Sequence, residues 1–206
     1  MKFQVIPRNV VIVAIVVLLL TALGVGLYSA VYRQQSEHPA IEKIADIMQL
    51  PVAKVGNQKV TYTDYLTHLK AQRVFLKGPT AISQGVAREI GTEDRVQAYE
   101  RAIRIAAMNY FAEKDDIVVT SLDVDRTFQD LVDRAGTSTN TGEILQFLQD
   151  EFGWDERQFK EFVVRPALIE DTLKQNRVLE TQNMLVFDDE LAELLNGEDT
   201  KRYISF

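Results

Sequence analysis

The chain has 206 residues, of which 46% are apolar and 26% charged, as in an ordinary folded protein with room for one domain and accessory segments. It contains no cysteine and two histidines, which excludes disulfides and thiol chemistry and leaves little material for a multi-histidine metal site or a histidine-based triad. Residues 36–206 carry a net charge of −10 within a total of −7, which argues against nucleic acid as a partner because phosphate binding needs clustered Lys and Arg.

The first predicted element is a transmembrane helix from Val10 to Tyr28, which is uncharged and close to the ~20 residues that cross a bilayer. A cleaved signal peptide is the alternative, but its apolar region is usually about 7–15 residues long and ends at a small-x-small site. Tyr28 occupies a position where that site needs a small residue. The charged residues before residue 36 are Lys2, Arg8 and Arg33, and two of the three precede the span. By the positive-inside rule, we expect a single-pass protein of the cytoplasmic (inner) membrane, with its N-terminus in the cytoplasm and its C-terminal domain periplasmic.

Residues 29–38 are predicted to be a polar connector, after which Pro39 opens a short amphipathic helix. The apolar side of that helix comprises Ile41, Ile44, Ile47 and Met48. Beyond Pro51, two short apolar runs flank the turn residues Gly56 and Asn57, which predicts a β-hairpin. Because an isolated two-stranded ribbon is marginally stable, we expect the hairpin to pack on a helix.

Two capping boxes predict where the next helices begin. Thr61 and Asp64 form the first, at the start of a helix that continues through Phe75. The Gly- and Pro-containing stretch Lys77–Gly91 then predicts a loop or a broken helix, long enough to be mobile or functional. The second box is Thr120-Ser121-Leu122-Asp123, and its helix is expected to turn four apolar residues inward. These residues are Val124, Phe128, Leu131 and Val132.

The run from Thr92 to Asp125 predicts a long central helix, then a short extended link at Ile117-Val118-Val119, then the start of the helix that the second box caps. Apolar residues recur along the central helix at spacings of three or four, while Ile105 and Met108 fall off that stripe, so the helix is expected to contact neighbours on more than one side. The apolar stripe comprises Val96, Tyr99, Ile103, Ala107, Tyr110 and Phe111.

The last third of the chain predicts further helices. A short helix containing Phe147 ends near Gly153, which suits the residue after a helix end. Asp155 then caps a longer helix, which Pro166 must kink or split because proline has no amide hydrogen. Asp188–Leu195 predicts a final helix, followed by a polar tail.

No residue pattern predicts catalysis. His68 lies in the helix that follows Thr61 and has no second histidine or carboxylate at ligand spacing, so it is interpreted as a surface residue or one with a satisfied hydrogen-bonding partner. Carboxylate pairs such as Asp115-Asp116 stand at helix ends, two of them at N-termini where negative charge suits the helix dipole. Neither a nucleophile elbow nor a Gly-rich phosphate loop is present. The sequence therefore predicts no catalytic, cofactor-binding or metal site.

Three motifs in fixed order carry a family resemblance. They are Val52-Ala53-Lys54-Val55-Gly56-Asn57, then Ile117-Val118-Val119-Thr120 with Asp123-Val124-Asp125, then Phe152-Gly153-Trp154-Asp155. Preceded by a signal anchor, this order resembles the N-terminal chaperone domain of SurA-type and PpiD-type periplasmic folding factors, to which PrsA-type foldases are also similar. The resemblance covers about residues 50–180. It departs from the family in the order Gly56-Asn57, in Asp116 where glycine is usual, and in Pro166 within a helix that is usually continuous.

The resemblance implies client binding without isomerase activity, because the parvulin-type prolyl isomerase domain that commonly follows is not accommodated by residues 181–206. We therefore expect a mainly α fold, with a transmembrane helix followed by a helical SurA-N-like domain with one short β-hairpin. Residues 1–35 would form the leader, anchor and connector, residues 36–183 the chaperone domain, and residues 184–206 a short helix and polar tail.

The leading hypothesis is a membrane-anchored extracytoplasmic chaperone-like protein that holds unfolded or nascent extracytoplasmic polypeptides in an apolar crevice. Its other partners would be the lipid bilayer, through Val10 to Tyr28, and the translocation machinery. The residues assigned to the crevice are Tyr62, Phe75, Met108 and Phe111. Two alternatives stay open: the targeting and binding part of a truncated or split membrane-bound prolyl isomerase, and a structural scaffold that binds one folded partner.

Overall fold

The computed structural model describes residues 8–135 and 141–206, so the start of the predicted leader, with Lys2, lies outside these ranges. The described chain is mainly helical, with one small antiparallel sheet. The α-helices are α1 (Arg8–Tyr28), α2 (Pro39–Ile47), α3 (Tyr62–Lys77), α4 (Pro79–Ser83), α5 (Thr92–Lys114), α6 (Ser121–Arg134), α7 (Thr141–Phe152), α8 (Glu156–Phe159), α9 (Arg165–Thr181) and α10 (Val186–Asn196). The strands are β1 (Pro51–Val55), β2 (Gln58–Thr61) and β3 (Thr200–Arg202), and two π-helical turns span Ser29–Arg33 and Lys160–Val164. Over the described ranges, no helix combines the length and apolar character that a membrane span requires.

The predicted hairpin is confirmed. β1 and β2 pair antiparallel around Gly56, whose φ of +57° puts it in the left-handed region that glycine tolerates. A Cβ atom on Gly56 would lie 2.3 Å from the ring of Tyr110, so the turn also packs too closely on α5 for any other residue. A third strand, β3, pairs with the free edge of β1, giving the order β2-β1-β3. The predicted polar tail therefore contains a strand.

Helix α5 is the centre of the main core, as the apolar pattern predicted. It packs against α3, α9, α10 and both strands of the hairpin, so it buries side chains around most of its circumference. Ile103 on the predicted stripe and Met108 off it are both buried. The two predicted capping boxes are confirmed: the Thr61 and Thr120 hydroxyls accept hydrogen bonds from the amides of Asp64 and Asp123, whose carboxylates bind back.

Both ends of the described chain pack on this core. After α1 the chain continues through the π-helical turn, where Val31 is fully buried, and Gln35 donates a hydrogen bond to the Ser205 carbonyl at 3.2 Å. Residues 29–38, predicted as a polar connector, are thus part of the folded domain. At the other end, Phe187 of α10 lies against Phe111 of α5 with ring centroids 5.7 Å apart.

A smaller apolar cluster lies outside the main core. Val124, Phe128 and Val132 of α6 pack on Val164 in the second π-helical turn. Leu131, predicted to point inward, is 45% exposed. Residues 124, 128 and 132 form one narrow line along the helix, and since α6 has its main contact with a single π-helical turn, only that line is covered.

Two further sequence predictions differ from the structure, one on the apolar side of α2 and one on the position of the helix disruption near Pro166. The Ile44–Met48 side of α2 is exposed, because α2 packs through buried Ala45 and half-buried Ile41 instead. The predicted disruption at Pro166 is found just before it: the Arg165 amide binds the Lys160 carbonyl, five residues back, so the helix passes through a π-helical turn.

A candidate binding cleft

A cleft of about 640 Å³ opens between the α3–α5 pair and the segment that joins α7 to α9. Aromatic and aliphatic side chains form most of its lining, and polar side chains form the rest. The walls comprise Ala71, Phe75, Ala98, Phe152, Trp154, Phe159 and Val163, and the polar groups are His68, Gln72, Gln97, Glu100 and Arg101. Below it is called the aromatic cleft.

The rings of the aromatic cleft form a continuous wall. Phe75 is stacked on Phe152, with centroids 6.0 Å apart and planes 8° from parallel, and Phe152 is stacked in turn on Trp154 at 5.7 Å. Phe147 meets Phe152 edge-on at 6.3 Å and is itself exposed. Such offset and edge-on arrangements are the preferred geometries of aromatic pairs. The rings of the wall therefore contact one another, while Phe75 and Phe152 are only partly buried.

The Phe152-Gly153-Trp154 sequence positions this wall. Phe152 is the last residue of α7, and Gly153 reverses the chain with a φ of +67°. The turn packs closely on Val74 of α3: a Cβ atom on Gly153 would lie 3.2 Å from the Val74 side chain. The Trp154 amide then donates to the Leu148 carbonyl, and Asp155 and Gln158 form the predicted cap of α8.

The loop Lys77–Gly91 connects α3, which carries Phe75, to the start of α5. It contains α4, whose first turn is held by a buried carboxylate from α7: the Thr80 hydroxyl donates to Glu151 at 2.8 Å. Arg88 forms a two-point ion pair with Asp94, and the second of its contacts measures 2.8 Å. The loop is thus tied at several points, while Ile82 in α4 and Val86 in the loop remain exposed.

His68 lies at the base of the aromatic cleft. Only 4% of it is exposed, and neither ring nitrogen has a hydrogen-bond partner among the described residues, which corrects the interpretation as a surface or satisfied histidine. Its ring meets Phe162 edge-on at 5.4 Å and Trp154 at 6.3 Å. Burial and, to a smaller extent, the positive charge of Arg101 together lower the pKa of His68 to about 4, so the imidazole is neutral at pH 7.

A second, smaller cavity of about 130 Å³ lies on the other side of His68. It is lined by Val60 of the hairpin, Ile105 of α5 and Phe162 of the second π-helical turn, with Asp64 and Glu161 among its charged groups. Of the side chains that line this cavity, His68 also lines the aromatic cleft.

The structure does not bring the four crevice residues predicted from sequence together. Phe75 lines the aromatic cleft, whereas Tyr62, Met108 and Phe111 are buried core residues with 0%, 1% and 4% exposure. Sequence reasoning did not assign Phe152, Trp154, Phe159 and Val163 to the site. The sequence signal for Phe152 and Trp154 was the motif Phe152-Gly153-Trp154, in which one aromatic residue precedes and one follows the glycine at which the chain reverses direction.

Within residues 8–135 and 141–206, no three His, Asp or Glu side chains converge as metal ligands would. Comparisons of the chain with protein-family models, with curated proteins and with solved structures find no match.

Proposed function

We propose that this protein is a membrane-anchored, extracytoplasmic, chaperone-like protein that binds segments of unfolded or newly translocated polypeptides in the aromatic cleft. The observation that carries the proposal is the partly exposed wall formed by Phe75 and Phe152. Exposed apolar surface with a polar rim is typical of sites that bind proteins. The resemblance of three sequence motifs to SurA-type and PpiD-type domains supports the same function.

The chemistry of the cleft favours binding of apolar side chains with little sequence selectivity. Stacked rings offer large apolar contact area and no fixed pattern of donors and acceptors. Among the polar groups of the lining, Gln72 donates to Gln97 and Asp94, and such amides can both donate and accept hydrogen bonds, as a polypeptide backbone requires. The net charge of −10 on residues 36–206 favours solubility of a protein that exposes such a surface.

Membrane anchoring is the second part of the proposal, and the uncharged sequence from Val10 to Tyr28 supports it. Helix α1 covers this segment and continues into the π-helical turn at Ser29–Arg33, where Val31 is buried, so the tether to the folded domain would be short. The cleft would then stay near the membrane surface, where polypeptides emerge from the translocation machinery.

Site-specific photocrosslinking in intact cells tests this proposal. A crosslinkable residue at Phe75 is expected to capture many different secreted or membrane polypeptides. The matched control is Leu179 on α9, which is 81% exposed and outside the cleft, and which is expected to give few adducts. A single discrete adduct at Phe75 would contradict the proposal in favour of a scaffold for one folded partner. Adducts with cytoplasmic proteins alone would contradict the proposed topology.

A further inference from the structure

His68 lines two cavities, the aromatic cleft and the smaller cavity of about 130 Å³. The aromatic cleft lies on one side of its ring and the 130 Å³ cavity on the other. What closes the partition is contact of the His68 ring with Phe162 at 5.4 Å and with Trp154 at 6.3 Å. Both aromatic residues belong to the segment between α7 and α9, whereas His68 belongs to α3.

In the closed partition, where His68 contacts Trp154 and Phe162, both ring nitrogens of His68 lack hydrogen-bond partners among the described residues. Both His68 nitrogens are shielded from solvent and without partners in the described chain, and such buried polar groups are rare because each costs free energy. Three residues earlier on the same helix, the buried Tyr65 hydroxyl donates to Gln35 at 3.3 Å. At His68 both polar atoms of the side chain are without a partner, and the penalty is removed when the nitrogens meet a donor and an acceptor.

Phe162 lies in a π-helical turn, a backbone feature at which helices commonly bend. It is the central residue of the π-helical turn Lys160–Val164, and Pro166 follows that turn by two residues. Turns of this kind inside helices are frequent at functional sites, and kinks concentrate at them and at proline. A bend at this turn would change the distance between Phe162 and His68.

We infer that His68 is the hydrogen-bonding anchor of the binding site: an extended polypeptide segment enters between His68 and the Trp154–Phe162 pair, joins the two cavities into one groove, and pairs its backbone with the imidazole. A neutral imidazole has one donor nitrogen and one acceptor nitrogen, which matches the N–H and C=O groups of an extended chain. Side chains on either side of that contact enter the aromatic cleft and the smaller cavity. This inference rests on the proposed function, since it names how the same cleft holds its client.

The chain provides its own reporter for the experiment. Trp154 is the single tryptophan of the sequence, so its fluorescence reports on the partition without labelling. The probe is reduced and carboxymethylated ribonuclease A, an unfolded polypeptide without tryptophan, titrated into the full chain in lipid nanodiscs. Wild-type protein is expected to bind with a change in Trp154 emission.

Two variants at one position separate anchoring from packing. His68→Leu removes the unmade hydrogen bonds, so it is expected to raise the thermal midpoint and to weaken binding about tenfold, because the closed partition becomes more populated. His68→Gln keeps a donor and an acceptor and is expected to bind within about twofold of wild type.

The outcomes distinguish the two proposals. If the wild-type protein does not bind the probe, the proposed function fails, and the inference with it. If the wild-type protein and His68→Leu bind equally, the anchor inference is overturned while client binding stands. If His68→Leu loses both stability and binding, or does not fold, His68 is a packing residue and the inference is also overturned.

Discussion

Helix α3 contributes aromatic rings to two regions that are built differently. Toward the main core, the hydroxyl of Tyr62 donates to the Ser36 carbonyl at 3.0 Å and that of Tyr65 to Gln35 at 3.3 Å. Toward the aromatic cleft, His68 is also buried, but neither of its ring nitrogens has a hydrogen-bond partner in the described chain. Phe75 is only partly buried. One helix thus has a fully satisfied side and an unsatisfied side.

The difference separates residues that stabilise the fold from residues that are free to bind. A buried ring whose polar group is bonded contributes both apolar burial and a hydrogen bond to stability. A ring that remains partly in water, or whose polar group has no partner, contributes less to stability and gains more when a ligand covers it. Substitutions in the main core should therefore lower stability more than client binding, and substitutions in the aromatic cleft should lower client binding more than stability.

The largest effect is expected from Ile103→Ala in the main core. Ile103 is fully buried among α3, α5 and the hairpin, so its truncation should lower the free energy of unfolding by about 3 kcal/mol, through lost burial and the cavity left behind. The folded fraction should still bind clients as the wild type does. Chemical denaturation followed by circular dichroism, with binding measured below the transition, checks both.

Phe75→Ala is the matched variant in the aromatic cleft. Since the ring is partly in water and is stacked on Phe152, the expected loss of stability is about 1 kcal/mol. Client binding should fall strongly. Equal losses of stability in the two variants, or unchanged binding by Phe75→Ala, would remove the distinction between the regions.

The next effect is a pH dependence that His68 gives to folding. In the folded protein the pKa of His68 is lowered from 6.5 to about 4, mainly by burial and to a smaller extent by Arg101. Between these two pH values His68 is protonated in the unfolded chain and neutral in the folded chain. The contribution of the neutral His68 to the free energy of unfolding is fully present above pH 6.5 and is lost as the pH falls toward 4. Between pH 7 and pH 5 the loss should be about 2 kcal/mol.

His68→Leu isolates this contribution, because it should not lose stability over that interval. The charged groups that line the two cavities around His68 are Lys59, Asp64, Glu100, Arg101 and Glu161. Carboxylates that ion pairs hold at a lowered pKa, such as Glu170 beside Lys174 and Arg104, lose stability in a different window, below about pH 4.5. Parallel pH profiles for the wild type and the variant would show that folding does not lower the pKa of His68.

Local signals explain which parts of the fold the sequence predicts. The capping boxes at Thr61 and Thr120, the hairpin turn at Gly56 and the helix-ending Gly153 each depend on a few neighbouring residues. Strand β3 could not be predicted in this way, because its three residues have no alternating pattern and pair with an edge of β1 that lies far away in the sequence.

The candidate site depends on the same distinction. Tyr62, Met108 and Phe111 are large apolar residues at helical spacing, and the spacing alone does not tell a core position from a cleft position. The packing of α7 and the second π-helical turn against α3 decides it, and that packing is a property of the whole chain. His68 illustrates the limit, since its missing hydrogen bonds are a matter of three-dimensional surroundings.

The smallest effect tests the satisfied side of the comparison. The Tyr99 hydroxyl donates to the Val52 carbonyl at 2.8 Å, linking α5 to β1. In Tyr99→Phe that carbonyl keeps a second bond, from the Tyr203 amide at 2.9 Å, so the loss of stability should be about 1 kcal/mol and not more. Client binding and the pH profile between pH 7 and pH 5 should not change, because the ring contacts in the core are kept and His68 is untouched. Thermal and chemical denaturation of the two proteins measure the difference, and a change in client affinity would mean that the core and the aromatic cleft are coupled rather than independent.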